Sequence, residues 1–224
     1  MGRDNQAKDR QLRRELAKKA QRASYARILI VTEGSKTEPL YLKEICSRHR
    51  LHSANVEVQP SQLGTAPERI VKYAEKLFRE GDLHKGIRPR SFDQVYAVFD
   101  CDDHACYHNA LRLSKSLDGT LRNDEKQPVR FKAIASIPNF ELWLLLHYED
   151  IHHAIPRNEV MKRLKKHFPN YSKGSRATFA TTQHQLDVAT QRAQALALKF
   201  TEFTDPEPFT ALHELVAVLK ALRN

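Results

Sequence analysis

Hydrophobic positions in this chain follow two periods, and the change from one to the other predicts an alternation of strands and helices. Residues 27–32, Arg27-Ile-Leu-Ile-Val-Thr32, hold a short apolar run and read as a first strand covered on both faces. Thr37-Glu-Pro39 then opens a helix to about Arg50. Thr37 is its expected cap, Pro39 sits in its first turn, and Leu40, Tyr41, Ile45 and Leu51 form its buried side. Residues 56–58 read as a short strand. Ala66-Pro67 begins a helix with Ile70, Ala74, Leu77 and Phe78 at helical spacing, which Gly81 stops. A polar loop over 84–89 leads to a strand over 92–99. The resulting β-α-β-α-β order predicts a parallel sheet.

A further helix spans His104 to Leu117, and Asp118-Gly119 ends it. Residues 129–135 alternate with period two and give a fourth strand. Ser136-Ile-Pro-Asn139 turns into a buried helix over 140–148, with Asn139 as its expected cap. Beyond residue 150 the pattern is helical: a basic helix over 158–167, a longer amphipathic one over 180–199, and a last one carrying Leu212, Leu215, Val216 and Leu219. The expected fold class is α/β, a mostly parallel sheet flanked by helices with a helical C-terminal extension. Three regions follow: a basic extension over 1–24, disordered alone or helical against phosphate, an α/β core over 25–150, and a helical region over 151–224 packed on that core.

Composition sharpens the choice of partner. The chain of 224 residues is 41% hydrophobic, enough for one sizeable core, and carries a net charge of +10, which favours a polyanion. No apolar run reaches the length of a membrane span, and Met1-Gly-Arg-Asp-Asn5 lacks the apolar heart of a secretory signal, so no membrane partner and a cytoplasmic location are expected. Three cysteines, Cys46, Cys101 and Cys106, make a poor disulfide framework.

Against this basic background stand two acidic clusters. Glu33 follows the first strand, and Asp100, Asp102 and Asp103 follow the third. Open α/β sheets place their sites at these carboxyl ends. Asp100 and Asp102, one residue apart in extended backbone, leave on the same face and can share Mg²⁺, with Mn²⁺ as a substitute. Asp103 is the alternative helix cap. Lys36, at a helix start after Gly34, can neutralise phosphate, and His104 can stabilise phosphate or move a proton. Glu141 in an apolar helix needs a cation, a basic partner or solvent, and Asn139 caps that helix or binds substrate. His147, His152 and His153 resemble a zinc set in composition alone. Arg157, Lys162, Arg163, Lys165, Lys166, Lys173 and Arg176 form a basic surface that can track a nucleic-acid backbone, or a solvated face, and Tyr171 can stack a base.

Three motifs in order, Ile28-Leu-Ile-Val-Thr-Glu33-Gly-Ser-Lys-Thr-Glu38, Val98-Phe-Asp-Cys-Asp-Asp-His104 and Ser136-Ile-Pro-Asn-Phe-Glu-Leu-Trp-Leu144, resemble the RloB family, whose fold is similar to a Toprim domain. The resemblance implies a Toprim-like sheet and Mg²⁺ held by Glu33, Asp100 and Asp102. It also implies a role in prokaryotic phage defence, as a nuclease acting on DNA or RNA, often beside an ATPase. Two other readings remain open: a noncatalytic nucleic-acid-binding or ATPase-partner module, and a nucleotidyl or phosphoryl transferase. A homodimer is also left open.

Overall fold

The computed structural model describes residues 26–52, 55–101, 104–199 and 208–222. The basic extension over 1–24 and the pair Asp102-Asp103 therefore lie outside the described residues.

Five strands form one sheet in the order β2-β1-β3-β4-β5. They are β1 Ile28–Thr32, β2 Val56–Pro60, β3 Gln94–Asp100, β4 Arg130–Ile137 and β5 Phe209–Thr210. The first four are mutually parallel, and β5 adds antiparallel to β4. This is the mostly parallel, Toprim-like arrangement expected from the sequence. All five residues of β1 are buried, which explains its unbroken apolar run.

The pleat divides the core. Ile28, Ile30, Tyr96 and Val98 point to one face, where they pack with Tyr41, Ile45, Trp143, Leu164, Ala189 and Leu215. Leu29, Val31, Val95, Ala97 and Phe99 point to the other, against Ile70, Ala74, Phe78, Tyr107 and Ala110. Helix α2, Pro67–Glu80, and helix α3, His104–Leu117, supply that second face. The first is covered by α1 Thr37–Arg48, α4 Glu141–Leu145, α5 Arg157–His167, α6 Thr178–Thr182, α7 Leu186–Ala197 and α8 Leu212–Ala221. The C-terminal helices thus share one apolar cluster with β1 and β3. Among the described residues no helix is long and apolar enough to cross a membrane.

Several local expectations change. Thr37 is the first helical residue and caps nothing; Lys36 holds the cap position without a side-chain bond. The Thr37 hydroxyl instead accepts a bond from the Gly174 N–H at 3.1 Å. On α1, Leu42 is buried and Leu40 only half-buried, because the sheet and α6 meet the stripe defined by Tyr41, Leu42 and Ile45. The helix expected over 140–148 shrinks to Glu141–Leu145, and Asn139 does not cap it, since Phe140 precedes it in helical conformation. The amphipathic stretch over 180–199 breaks into α6, a 3-10 turn at Gln183–Gln185, and α7. A hydrophobic period tolerates such a break because the apolar stripe continues across it. β5 was not expected: two residues carry no period, and their partner strand lies more than 70 residues earlier.

In the core, His147 is 2% exposed, and its Nδ1 lies 2.9 Å from the Trp143 carbonyl. A carbonyl only accepts, so Nδ1 carries the proton. Burial pushes the imidazole down to about 4, and it stays neutral in the folded protein. The unfolded chain binds a proton near the usual value of about 6.5, so stability is complete above that pH and falls as pH drops towards 4. The full loss is roughly 3 kcal/mol. Thermal unfolding scans between pH 7 and 4 should show a shallower acid slope for His147→Gln than for wild type. Parallel curves would remove His147 as the cause.

Candidate functional site

Because β1 and β3 are adjacent and parallel, with Thr32 opposite Val98, their carboxyl ends open on the same side of the sheet. The Glu33 N–H still donates to the Val98 carbonyl at 2.9 Å, one residue past β1. The Glu33 side chain crosses the crevice, and its Oε2 accepts the Asp100 N–H at 2.9 Å. Thr32 Oγ1 donates to the Gly34 carbonyl at 2.9 Å and bends the chain toward α1. The first turn of that helix brings in Glu38, which is 8% exposed. Gly34 lets the backbone pass close to that acid: a Cβ there would stand 2.5 Å from Glu38 Oε2 and make its carboxylate move. Glu141, the first residue of α4, completes the group and is 1% exposed.

The electrostatics follow from crowding. Asp100 has its acid dissociation pushed well above the usual carboxylate range by burial first, then by Glu33, Glu38 and Glu141, against an opposing pull from Arg157. Glu38 is raised by burial and by Glu141, with Lys173 opposing. Two cations offset this charge from outside. The Arg157 Nη2 stands 3.6 Å from Asp100 Oδ2, and the Lys173 Nζ stands 3.8 Å from Glu141 Oε1. Tyr171 donates its hydroxyl to Glu141 Oε1 at 3.2 Å, and burial followed by the Glu141 charge raises that phenol. Glu141 Oε2 and Asn139 Oδ1 are buried with no hydrogen-bond partner among the described residues.

Such a set suits a hard cation. Its donors are carboxylate oxygens, and an orphaned buried carboxylate oxygen is costly unless something positive meets it. Among the described residues, however, no group of three or more His, Cys, Asp or Glu is arranged to hold a metal ion. Asp102, the remaining expected ligand, falls outside the described residues. His104 opens α3 directly after that gap. Cys101 is partly buried against the Leu29–Phe99 face of the core. His147 sits in the core against the Trp143 carbonyl, and His152 pairs with Asp150 at 3.3 Å.

The basic residues separate by neighbourhood. Lys36, Arg157, Lys173 and Arg176 are exposed, and the first three gather at the carboxylate rim, where Gly174 packs on the Lys36 stem. On α5, Val160 and Leu164 enter the core while Lys162, Lys165 and Lys166 face solvent, with Lys162 3.6 Å from Glu159. Arg163 is half-buried and ion-paired with Glu149, which His167 also meets at 2.8 Å, so its charge is largely consumed inside the fold. Tyr171 is 2% exposed with its hydroxyl on Glu141, so it offers no face to a base. Trp143 is core, as expected, and its Nε1–H donates to the Tyr41 hydroxyl at 2.8 Å.

Glu38 was missed as a site residue, and so was the bond from Tyr171. Glu38 carried a usable signal: an acid in the first turn of a helix that starts at the same sheet end as Glu33. Tyr171 carried none, because the contact joins residues 30 apart with α5 between them.

The family model described as RloB-like protein matches residues 28–219. No curated protein and no solved structure matches the chain.

Proposed function

The chain belongs to the RloB-like protein family, and from that premise we propose that it is a divalent-metal-dependent nuclease, or a related phosphodiester-processing effector, in prokaryotic phage defence. The observation that carries this reading is the cluster of buried Glu38, Asp100 and Glu141 with the half-buried Glu33, together with the orphaned Glu141 Oε2. Glu33 and Asp100, together with Asp102, would hold Mg²⁺ or Mn²⁺. When bound, such an ion polarises a phosphoryl oxygen and offsets charge on the leaving oxygen.

The chain's own residues do the rest. The Asp100 N–H fixes the Glu33 carboxylate across the crevice. Tyr171 orients Glu141 by donating to Oε1, while Oε2 stays buried without a hydrogen-bond partner among the described residues. Arg157 and Lys36 at the rim attract the phosphate backbone, and Lys165, Lys166 and Arg176 extend the positive surface for DNA or RNA. His104, at the start of α3, is the proposed proton carrier.

A second reading is a noncatalytic nucleic-acid-binding module that works with an ATPase. It is favoured by the lack of a three-ligand group among the described residues. Incubation with pooled DNA and RNA, in Mg²⁺ or Mn²⁺ and with any ATPase encoded alongside, separates the two. Cleavage that EDTA stops is the expected result. Intact polymer with binding that ignores EDTA would replace the nuclease by the binding module. Consumption of a labelled nucleotide without polymer cleavage would indicate phosphoryl or nucleotidyl transfer instead.

A further inference from the structure

We propose that the arginine-rich surface at the amino ends of the strands is a second nucleic-acid site, which holds the phosphate backbone of a double strand away from the carboxylates. It needs no metal ion, and it narrows the polymer proposed above to a duplex.

Two loops build the surface. Residues 88–91 lead toward β3 and residues 118–129 lead into β4, so both lie at the sheet end opposite Asp100. The seven residues of β3, about 23 Å of strand, separate the two ends. The Asp124 N–H donates to the Arg90 carbonyl at 2.7 Å and joins the loops. The Arg90 N–H donates to the Phe78 carbonyl at 2.6 Å, near the end of α2. Asn123 Oδ1 accepts the Glu125 and Gln127 N–H groups at 3.0 and 2.8 Å, which closes the second loop on itself. Arg90 and Lys126 have φ of +55° and +63°, a left-handed backbone uncommon for such side chains. The loop contacts therefore hold two exposed cations in fixed places.

Charge is left over here. Arg27 pairs with Asp93 and with Asp124, each at 2.8 Å, and Asp118 accepts the Phe131 N–H at 2.9 Å. Arg88, Arg90, Arg122, Lys126 and Arg130 are exposed, and among the described residues none of them has an ion-pair partner. Against them the second loop offers Glu125 beyond the acids already engaged. Arg122 Nη1 donates to the Gly119 and Leu121 carbonyls at 2.6 and 3.1 Å, which orients the guanidinium before any ligand arrives.

The chemistry of the patch selects its occupant. A polynucleotide backbone presents a row of phosphates that arginine and lysine meet without reading sequence. A protein partner would need an apolar centre, yet the large apolar side chains exposed among the described residues, Leu63, Leu83 and Leu198, lie outside these loops. A single strand is gripped by stacking its bases on aromatic rings, and residues 88–91 and 118–130 contain no Phe, Tyr or Trp. A duplex keeps its bases stacked inside and asks only for the cations.

Binding of a labelled duplex of about 30 base pairs, read by fluorescence anisotropy in EDTA over a salt series, tests this without cleavage. The triple variant Arg88→Gln, Arg90→Asn, Lys126→Asn removes three cations and places asparagine where the backbone is left-handed. It should bind about tenfold or more weakly than wild type near about 0.1 M salt, with the salt slope reduced by about 2 to 3. The triple variant Lys43→Gln, Lys72→Gln, Lys220→Gln makes the same charge change across α1, α2 and α8 and should lose far less. Arg88→Gln alone, in ordinary backbone, should still lower the slope by about 1, which keeps the test sound if the first triple variant melts early. Equal weakening in the two triple variants, or no duplex binding by wild type, overturns the proposal. So does a single strand of the same length bound as tightly as the duplex. Polyglutamate that displaces the duplex from wild type would assign the patch to an acidic protein instead. Because EDTA is present throughout, none of these outcomes bears on metal-dependent cleavage, which stands or falls separately.

Discussion

Asp100→Asn should lose metal-dependent phosphodiester cleavage, by on the order of 100-fold or more, while the metal-free protein becomes harder to melt. The two effects share one cause. Asp100 is 8% exposed and faces Glu33, Glu38 and Glu141, with Arg157 as the opposing charge. On the proposed metal reading its negative form serves when a cation joins the group. Without one, burial and three like charges raise its acid dissociation. A raised carboxylate holds its proton longer in the folded state than in the unfolded chain. Stability then falls as pH climbs from the unfolded value of about 3.9 through the folded one.

The amide is nearly isosteric and carries no charge, so it removes that penalty at neutral pH. Melting curves from pH 4 to 8 without metal should be flatter for Asp100→Asn than for wild type. Glu38, shifted in the same direction, keeps part of the slope. Added Mg²⁺ should raise the melting temperature of wild type and leave the variant almost unmoved. A variant that melts lower than wild type and still responds to Mg²⁺ would assign Asp100 a structural role instead.

Trp143→Ala should cost about 3–5 kcal/mol of stability, read as a lower denaturant midpoint at unchanged slope. Trp143 is fully buried, donates to the Tyr41 hydroxyl at 2.8 Å and meets the His147 ring edge-on at 4.9 Å. Truncation opens a cavity and leaves Tyr41 Oη without that donor. The consequence reaches the site because Trp143 lies two residues after Glu141 and Tyr41 three after Glu38. This one hydrogen bond ties together the two helix starts that carry the buried acids. Trp143→Phe should recover most of the packing and little of the hydrogen bond, with an intermediate loss of about 1–2 kcal/mol. A midpoint for Trp143→Ala within about 1 kcal/mol of wild type would show that α1 and α4 are held by other contacts.

Much of this molecule could be read before folding was considered. The runs at 28–31 and 95–99 are apolar throughout because both faces of these strands are covered, and a run of that kind is visible without partners. Helix α2 was legible for the same local reasons: proline at its start, glycine after its end, apolar residues at helical spacing. The positions of Glu33 just past β1 and of Asp100 at the last residue of β3 were local facts too. Parallel pairing then converts a shared position in two strands into a shared position in space.

The remaining features depend on contacts between distant segments. Hydrophobic period says which face of a helix is buried, but not what lies against a polar atom at its end. Thr37 has the chemistry of a cap, yet its hydroxyl accepts from Gly174, 137 residues away. Tyr171 has the chemistry of a stacking platform, yet burial commits its hydroxyl to Glu141. Arg163 counts as positive in composition, yet Glu149 balances it in the folded chain. Glu38 reads as an ordinary first-turn acid until packing encloses it beside Glu141 and Asp100. Residue types and their order determined the four parallel strands, their covered faces and the end at which carboxylates collect, because backbone pairing and apolar burial repeat along the chain. Which acids are buried, and which cations stand against them, was settled by packing, because those energies depend on distances that no local pattern encodes.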